Sequence, residues 1–199
     1  MILWTMQAEQ VWEELQSTGV FGYNRQWIED EDHIRSYEWL RAQMIRRIGP
    51  PPKPDAYPVW AWRQRHSAKR PKPDLRRWEN RTKGDHGVRI EFECPEQTVL
   101  LSDYVLWHHV LNYFYLPKSK LDADLFDAQL KAHGLFDSSA KPLPDPELHN
   151  KIVNSWERIF DLGWYDKYVT LSLRDKAIQA TVWAIKIDQV RDHNFYDFR

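Results

Sequence analysis

The stretch VRIEFEC (residues 88–94) alternates without a break. Val88, Ile90, Phe92 and Cys94 are apolar, while Arg89, Glu91 and Glu93 are charged. Successive side chains of a strand point to opposite faces, so this pattern predicts a strand with one face in a core and the other among polar groups. Working outward, residues 2–5 predict a short first strand. YPVWAW (residues 57–62) predicts an extended segment at a sheet edge, because Pro58 cannot donate to a ladder. QTVLL (97–101), KYVTLSL (167–173) and IQATVWAIKI (178–187) predict further strands.

Helical spacing fills the intervals. Thr5 is placed to cap a helix over residues 7–17, with Val11 and Leu15 buried and Gly19 as the stop. Ile34, Tyr37, Leu40, Met44 and Ile48 predict a second helix over 32–47, ended by GPPPKP. Ser102 is placed to cap a third helix through DYVLWHHVLNYFY, with Pro117 beyond it. Two more follow, over 122–133 with Gly134 as the stop and over 146–162 with Pro146 in the first turn. The expectation is an α+β fold in which mixed or antiparallel central strands carry flanking helices. A chain of 199 residues suits one domain, spanning residues 1–199.

Composition narrows the chemistry. One cysteine excludes an internal disulfide and any multi-cysteine zinc site. There is no phosphate-binding P-loop, dinucleotide glycine fingerprint, nucleophile elbow or His-Glu-x-x-His. MILWTMQAEQ lacks the basic and long apolar regions of a signal peptide, and no charge-free window is long enough to span a membrane, so a cytoplasmic protein is expected. His108 and His109 are adjacent on a predicted helix, about 100° apart, and so cannot both face one metal.

The net charge is −1, yet residues 63–83 hold nine Lys or Arg against two acids, a local balance of +7. This segment, with Pro71 and Pro73, reads as a basic loop over 63–86. Cations at that density bind phosphates by counterion release, and neighbouring Trp side chains stack on unpaired bases. Arg65, Lys69, Arg70, Lys72, Arg76, Arg77, Trp78 and Arg81 are therefore candidate contacts to single-stranded nucleic acid, RNA or DNA. Docking of an acidic protein is the alternative use of the same charge.

Two sets of residues carry resemblances to known families. Pro73-Asp74 followed by Glu91-Phe92-Glu93 is similar to the Pro-Asp and acid-x-Lys elements of restriction-enzyme-like nucleases, with Glu93 in the lysine's place. That resemblance implies Mg²⁺ held by Asp74, Glu91 and Glu93. MILWTMQ, YPVWAW, KPDLR, VLLSDYVLWHHVLN, SWERIFD and IQATVW together resemble an uncharacterised bacterial domain family across nearly the whole chain. More locally, the first strand, its helix and STGVF (17–21) resemble the opening of DarT-like ADP-ribosyltransferase toxins. What this implies is an NAD-dependent transferase acting on nucleic acid, a toxin or phage-defence effector restrained by an antitoxin protein. By that resemblance Trp4, Trp60 or Trp62 stacks on nicotinamide, Thr5 and Gln7 hydrogen-bond the cofactor, and Arg63 or Arg65 meets the pyrophosphate. Glu91 is then the catalytic carboxylate, and Gln179 and Thr181 occupy the late-strand positions beside the ribose. A non-catalytic module binding nucleic acid or protein is the competing expectation.

Overall fold

The computed structural model describes residues 1–28, 33–77 and 86–197, apart from the side chains of Trp27 and Arg77. The chain forms two compact units, Met1–Leu101 with Ile178–Arg199, and Ser102–Ala177. Trp78 and Arg81, and the side chain of Arg77, lie outside the described residues.

The first unit is built on a sheet of six strands. In chain order these are β1 (Ile2–Gln7), β5 (Val59–Gln64), β6 (His86–Glu93), β7 (Leu100–Asp103), β8 (Ile178–Val182) and β10 (Val190–Asp197). Their spatial order is β10-β6-β1-β5-β8-β7, and the pairs β10–β6, β6–β1, β1–β5 and β5–β8 are antiparallel. Helices α1 (Glu9–Thr18) and α2 (Ile34–Ile48) accompany the sheet. Two short ribbons pair β2 (Val20–Phe21) with β9 (Ile185–Lys186) and β3 (Tyr23–Asn24) with β4 (Ala56–Tyr57).

The alternation in VRIEFEC divides the sheet as expected. Leu3, Val59, Ala61, Val88, Ile90, Phe92, Ala180 and Val182 pack in one cluster with Val11, Trp12 and Leu15 of α1. Leu3, Ile90 and Phe92 are wholly buried; burying a side chain of this size contributes about 1.5–3 kcal/mol. The opposite face presents Trp4, Trp60, Trp62, Arg89, Glu91, Glu93 and Gln179, each cross-strand partner confirming the same alternation.

Several local expectations change. β5 is not an edge strand: it lies between β1 and β8, and Pro58 stands just before its first residue, where no ladder bond is needed. Thr5 stays in β1, and α1 begins after Ala8 with no side-chain cap. Gly19 does end α1, at φ 78°, a left-handed conformation that suits glycine. KYVTLSL is not a strand, because the Asp166 carboxylate accepts from the amides of Tyr168 and Val169 and folds the segment into a turn. β10, polar and charged along VRDHNFYD, was not anticipated.

The second unit is helical, with α3 (Tyr104–Leu111), α4 (Lys120–Ala132) and α5 (Pro146–Ser155). Asp103 rather than Ser102 caps α3, accepting from the amides of Val105 and Leu106. Ser119 and Asp145 cap α4 and α5. α3 stops short of Pro117 because Tyr113 adopts φ 59°. The fully buried Lys176 ammonium lies 3.3 Å from the Asp103 carboxylate and donates to the carbonyl of Trp164. Thr170 also donates to Asp103, at 2.8 Å, so the buried charges are both paired and hydrogen-bonded.

One close approach ties β10 to the sheet. A Cβ on Gly87 would run into the Tyr196 hydroxyl and the Gln7 carbonyl oxygen, so this position of β6 admits only glycine. Gly87→Ala is expected to destabilise the fold by about 1–3 kcal/mol, the usual cost of overpacking. Thermal melting checks this, with a clear fall in Tm as the expected result.

Candidate functional site

The polar face of the sheet is organised by one transverse row. Strand register sets Asp192 opposite Glu91, Glu91 opposite Trp4, Trp4 opposite Trp62, and Trp62 opposite Gln179. Four of the residues singled out in the sequence therefore share a line across neighbouring strands. The two ends of the line do different things.

At one end is an ionic knot. The Glu91 carboxylate accepts from the Trp4 indole N–H at 2.7 Å and from Lys72 at 2.8 Å. Lys72 also lies 3.7 Å from Asp192, and Arg89 donates to the carbonyl of Pro73 at 2.8 Å. The Lys72 hydrogen bond, aided by Trp4, holds the Glu91 carboxyl below its ordinary range, so it is an anion at neutral pH. These bonds fasten the start of the basic segment onto the sheet.

At the other end is a cavity of about 360 Å³, lined by Met6, Gln7, Tyr23, Asn24, Ile28, Tyr37, Tyr57, Pro58, Trp60, Ala61, Trp62 and Gln179. None of these side chains is charged, and five are aromatic. Its size is near the lower end of the roughly 300–1,000 Å³ typical of ligand sites. Trp60 and Trp62 share a face because they are two residues apart on β5. The Tyr37 ring stands edge-on to Trp60, with centroids 6.2 Å apart. Arg65 lies over the Trp62 ring at 4.6 Å, a cation–π contact that brings the basic segment to the cavity wall.

A directed chain of hydrogen bonds fixes one wall. The Tyr23 hydroxyl donates to Gln7 Oε1 at 2.6 Å, Gln7 Nε2 donates to Thr5 Oγ1 at 2.7 Å, and Thr5 donates to the Trp60 carbonyl at 2.8 Å. Tyr57 donates to Glu38 of α2, while Arg41 of α2 donates to the carbonyls of Ala56 and Pro54. Burial raises the hydroxyls of Tyr23 and Tyr37. Burial together with the Glu38 bond pushes Tyr57 up to about 12. All three tyrosines are neutral at pH 7.

Gln179 takes no part in this chain of bonds. It is only 8 % exposed, and among the described residues its Oε1 has no hydrogen-bond partner. A buried acceptor left this way costs about 1–3 kcal/mol.

The structure thus gathers Gln7, Trp60, Trp62 and Gln179 around one cavity, with Thr5 and Arg65 behind its walls. It sets Trp4 and Glu91 apart from them. Glu91 and Gln179 are three strand spacings apart, about 14 Å across the sheet. Thr181 is buried and donates to the Leu100 carbonyl. Arg63 is exposed and donates to the carbonyl of Ile2. Asp74 is held by Arg76, at 2.9 and 3.0 Å, and Glu93 by Arg191. Among the described residues no three His, Cys, Asp or Glu side chains converge as a metal site. Lys69 and Arg70 are exposed on the turn where Ser67 pairs with Arg70.

Sequence reading missed Tyr23, Tyr37 and Tyr57. Tyr37 was absorbed into the apolar spacing of α2, and Tyr23 and Tyr57 meet only through pairing of β3 with β4, in register at these two residues. The single available signal was the run Tyr57-Pro-Val-Trp-Ala-Trp62, three aromatics in six residues.

Residues 2–191 match a family described as a domain of unknown function (DUF3841), and the chain belongs to that family. No curated protein matches the chain. No solved structure matches it either. No helix among the described residues is long and apolar enough to cross a membrane.

Because the Glu91 pKa is depressed in the folded state, its contribution to stability is complete above its ordinary value of 4.5 and is lost as pH falls below that. In Glu91→Gln this acid-dependent component is absent. Melting curves between pH 7 and pH 3 are expected to show a smaller loss of Tm in the variant than in the wild type.

Proposed function

We propose that this domain binds single-stranded nucleic acid, RNA or DNA, and seats one unstacked base in the cavity bounded by Trp60 and Trp62. The observation that supports this reading most is the joining of an uncharged, aromatic-lined cavity to a cationic segment through the Arg65–Trp62 contact. A base has two π-faces and a polar edge but no charge. It suits a site whose tyrosines are neutral and whose lining carries no ionised side chain. The phosphates stay outside, where Lys69 and Arg70 are exposed. Lys72 and Arg76, by contrast, are engaged with Glu91 and Asp74, so their part is to shape the segment.

A second reading is favoured by Gln179. Its unmet acceptor suits the carboxamide N–H of nicotinamide as well as a base, in line with an ADP-ribosyltransferase that uses NAD. In that reading the transfer would draw on Glu91, about 14 Å away across the sheet. That separation favours binding over transfer. The two readings part on NAD: a transferase is stabilised by it and labels nucleic acid from it, whereas a module that only binds strands transfers nothing.

The test is fluorescence anisotropy with a labelled single-stranded oligonucleotide. Trp62→Ala is expected to weaken binding by about 1–3 kcal/mol, the usual worth of a stacked base. Lys69→Glu with Arg70→Glu is expected to flatten the dependence of affinity on salt, since each lost phosphate contact removes about 0.7 from the slope for a single strand. Unchanged affinity in Trp62→Ala would contradict the cavity's role, and an unchanged salt slope would contradict that of the turn.

A further inference from the structure

The helical unit holds a second cavity, and every residue lining it belongs to that unit. Its volume is about 640 Å³, in the middle of the range for drug-sized ligands. Tyr113, Phe126, Leu143 and Ile152 form buried parts of its wall, and Phe114, Phe136 and Tyr168 stand exposed around it. Apolar surface gathered at one hollow, rather than scattered singly, marks a binding site. Bonds already made hold the wall in shape. The Tyr113 hydroxyl accepts from the Leu143 amide at 3.0 Å and pairs with His149 Nδ1 at 2.6 Å, which ties the turn after α3 to α5 and to the segment before it. The Tyr115 hydroxyl donates to Asp122, and Ser138 Oγ accepts from the amide of Ala140.

His109, in the last turn of α3, lines the same cavity and differs from these engaged groups. Its Nδ1 lies 3.1 Å from the Tyr115 carbonyl oxygen. A carbonyl only accepts, so Nδ1 carries the hydrogen. Burial lowers the pKa of this imidazole below its ordinary 6.5, so the ring is neutral at pH 7 and Nε2 is a lone-pair acceptor. Among the described residues Nε2 has no hydrogen-bond partner, and it is not sealed from solvent.

We propose that this cavity binds a neutral, fused-ring aromatic compound bearing an O–H or N–H donor, and that His109 Nε2 accepts that donor. The wall sets each part of this description. Its Phe and Tyr rings favour an aromatic body through offset and edge contacts. Asp127 and Lys141 bring one charge of each sign to the lining, so a ligand without net charge suits it. The volume admits more than a single ring, and the fixed tautomer of His109 asks for a donor rather than an acceptor. The site is independent of the base-binding reading, because it shares no residue with the cavity of Trp60 and Trp62.

The experiment titrates the intact protein at neutral pH with naphthol and with its methyl ether, which keeps the rings but lacks the O–H, and follows ligand fluorescence. The wild type is expected to bind naphthol about threefold to tenfold more tightly, as one neutral hydrogen bond allows. The preference is expected to vanish in His109→Leu and to survive in part in His109→Gln, which keeps an acceptor. Trp62→Ala is expected to leave naphthol binding unchanged. In wild-type protein with isotope-labelled histidine, the His109 Nε2 signal is expected to be that of an unprotonated nitrogen and to move upfield on adding naphthol, and much less on adding the ether. Equal affinity of the wild type for the two compounds, no saturable binding of either, or a preference that survives in His109→Leu would overturn the proposal. Naphthol binding lost in Trp62→Ala would place the ligand in the other cavity and overturn it too. The nitrogen signal is read on the wild type, so the test holds even where His109→Leu fails to fold: a protonated Nε2 in the free protein, or a signal unmoved at saturating naphthol, would overturn the role of His109.

Discussion

The register of β1 between β6 and β5 is the constraint on which the rest of the first unit depends. Trp4 faces Glu91 on one side and Trp62 on the other. A slip of one residue would send Trp4 into the core and Leu3 out of it. The same slip would break the Trp4 bond to Glu91 and leave Thr5 unable to donate to the Trp60 carbonyl. Register is held from both faces: by the close-packed cluster under α1 on one, and on the other by the indole–carboxylate–ammonium knot. Core packing and site geometry are therefore consequences of a single alignment.

That alignment separates two kinds of polar chemistry. Charge is concentrated where the basic segment meets the sheet, at Glu91, Lys72, Arg89 and Asp192, and most of it is neutralised locally. The cavity a few strands away is neutral, aromatic and rimmed by hydrogen bonds that are already made. In the proposed reading, such a cavity recognises its ligand by shape and stacking rather than by net charge. In the proposed strand-binding reading, the exposed cations of the turn near Lys69 supply the long-range attraction that a neutral cavity lacks.

Much of this was legible in the sequence, and the reasons are local. VRIEFEC alternates because one face of β6 is core and the other is the ionic knot, so both the strand and the buried set Val88, Ile90 and Phe92 could be read directly. Gly19, Gly134 and Pro146 mark helix ends through backbone chemistry that needs no tertiary context. Trp60, Trp62, Gln7 and Gln179 were legible as candidates, but not as neighbours. Their meeting depends on β5 lying between β1 and β8, whereas Pro58 suggested an edge. Glu91 drew attention as a carboxylate beside the basic segment. Its partners Trp4 and Lys72 are 87 and 19 residues away in the chain, a pairing no local pattern encodes. β10 was missed because a strand flanked by one neighbour needs little apolar alternation to form.

The most direct test of the account is zero-length ultraviolet cross-linking of the intact protein to a labelled single-stranded oligonucleotide, with the adduct mapped by mass spectrometry. Cross-links within Tyr57 to Trp62 would place a base in the cavity, as the account predicts. Cross-links confined to the basic segment or to the helical unit, with none on β5, would contradict it.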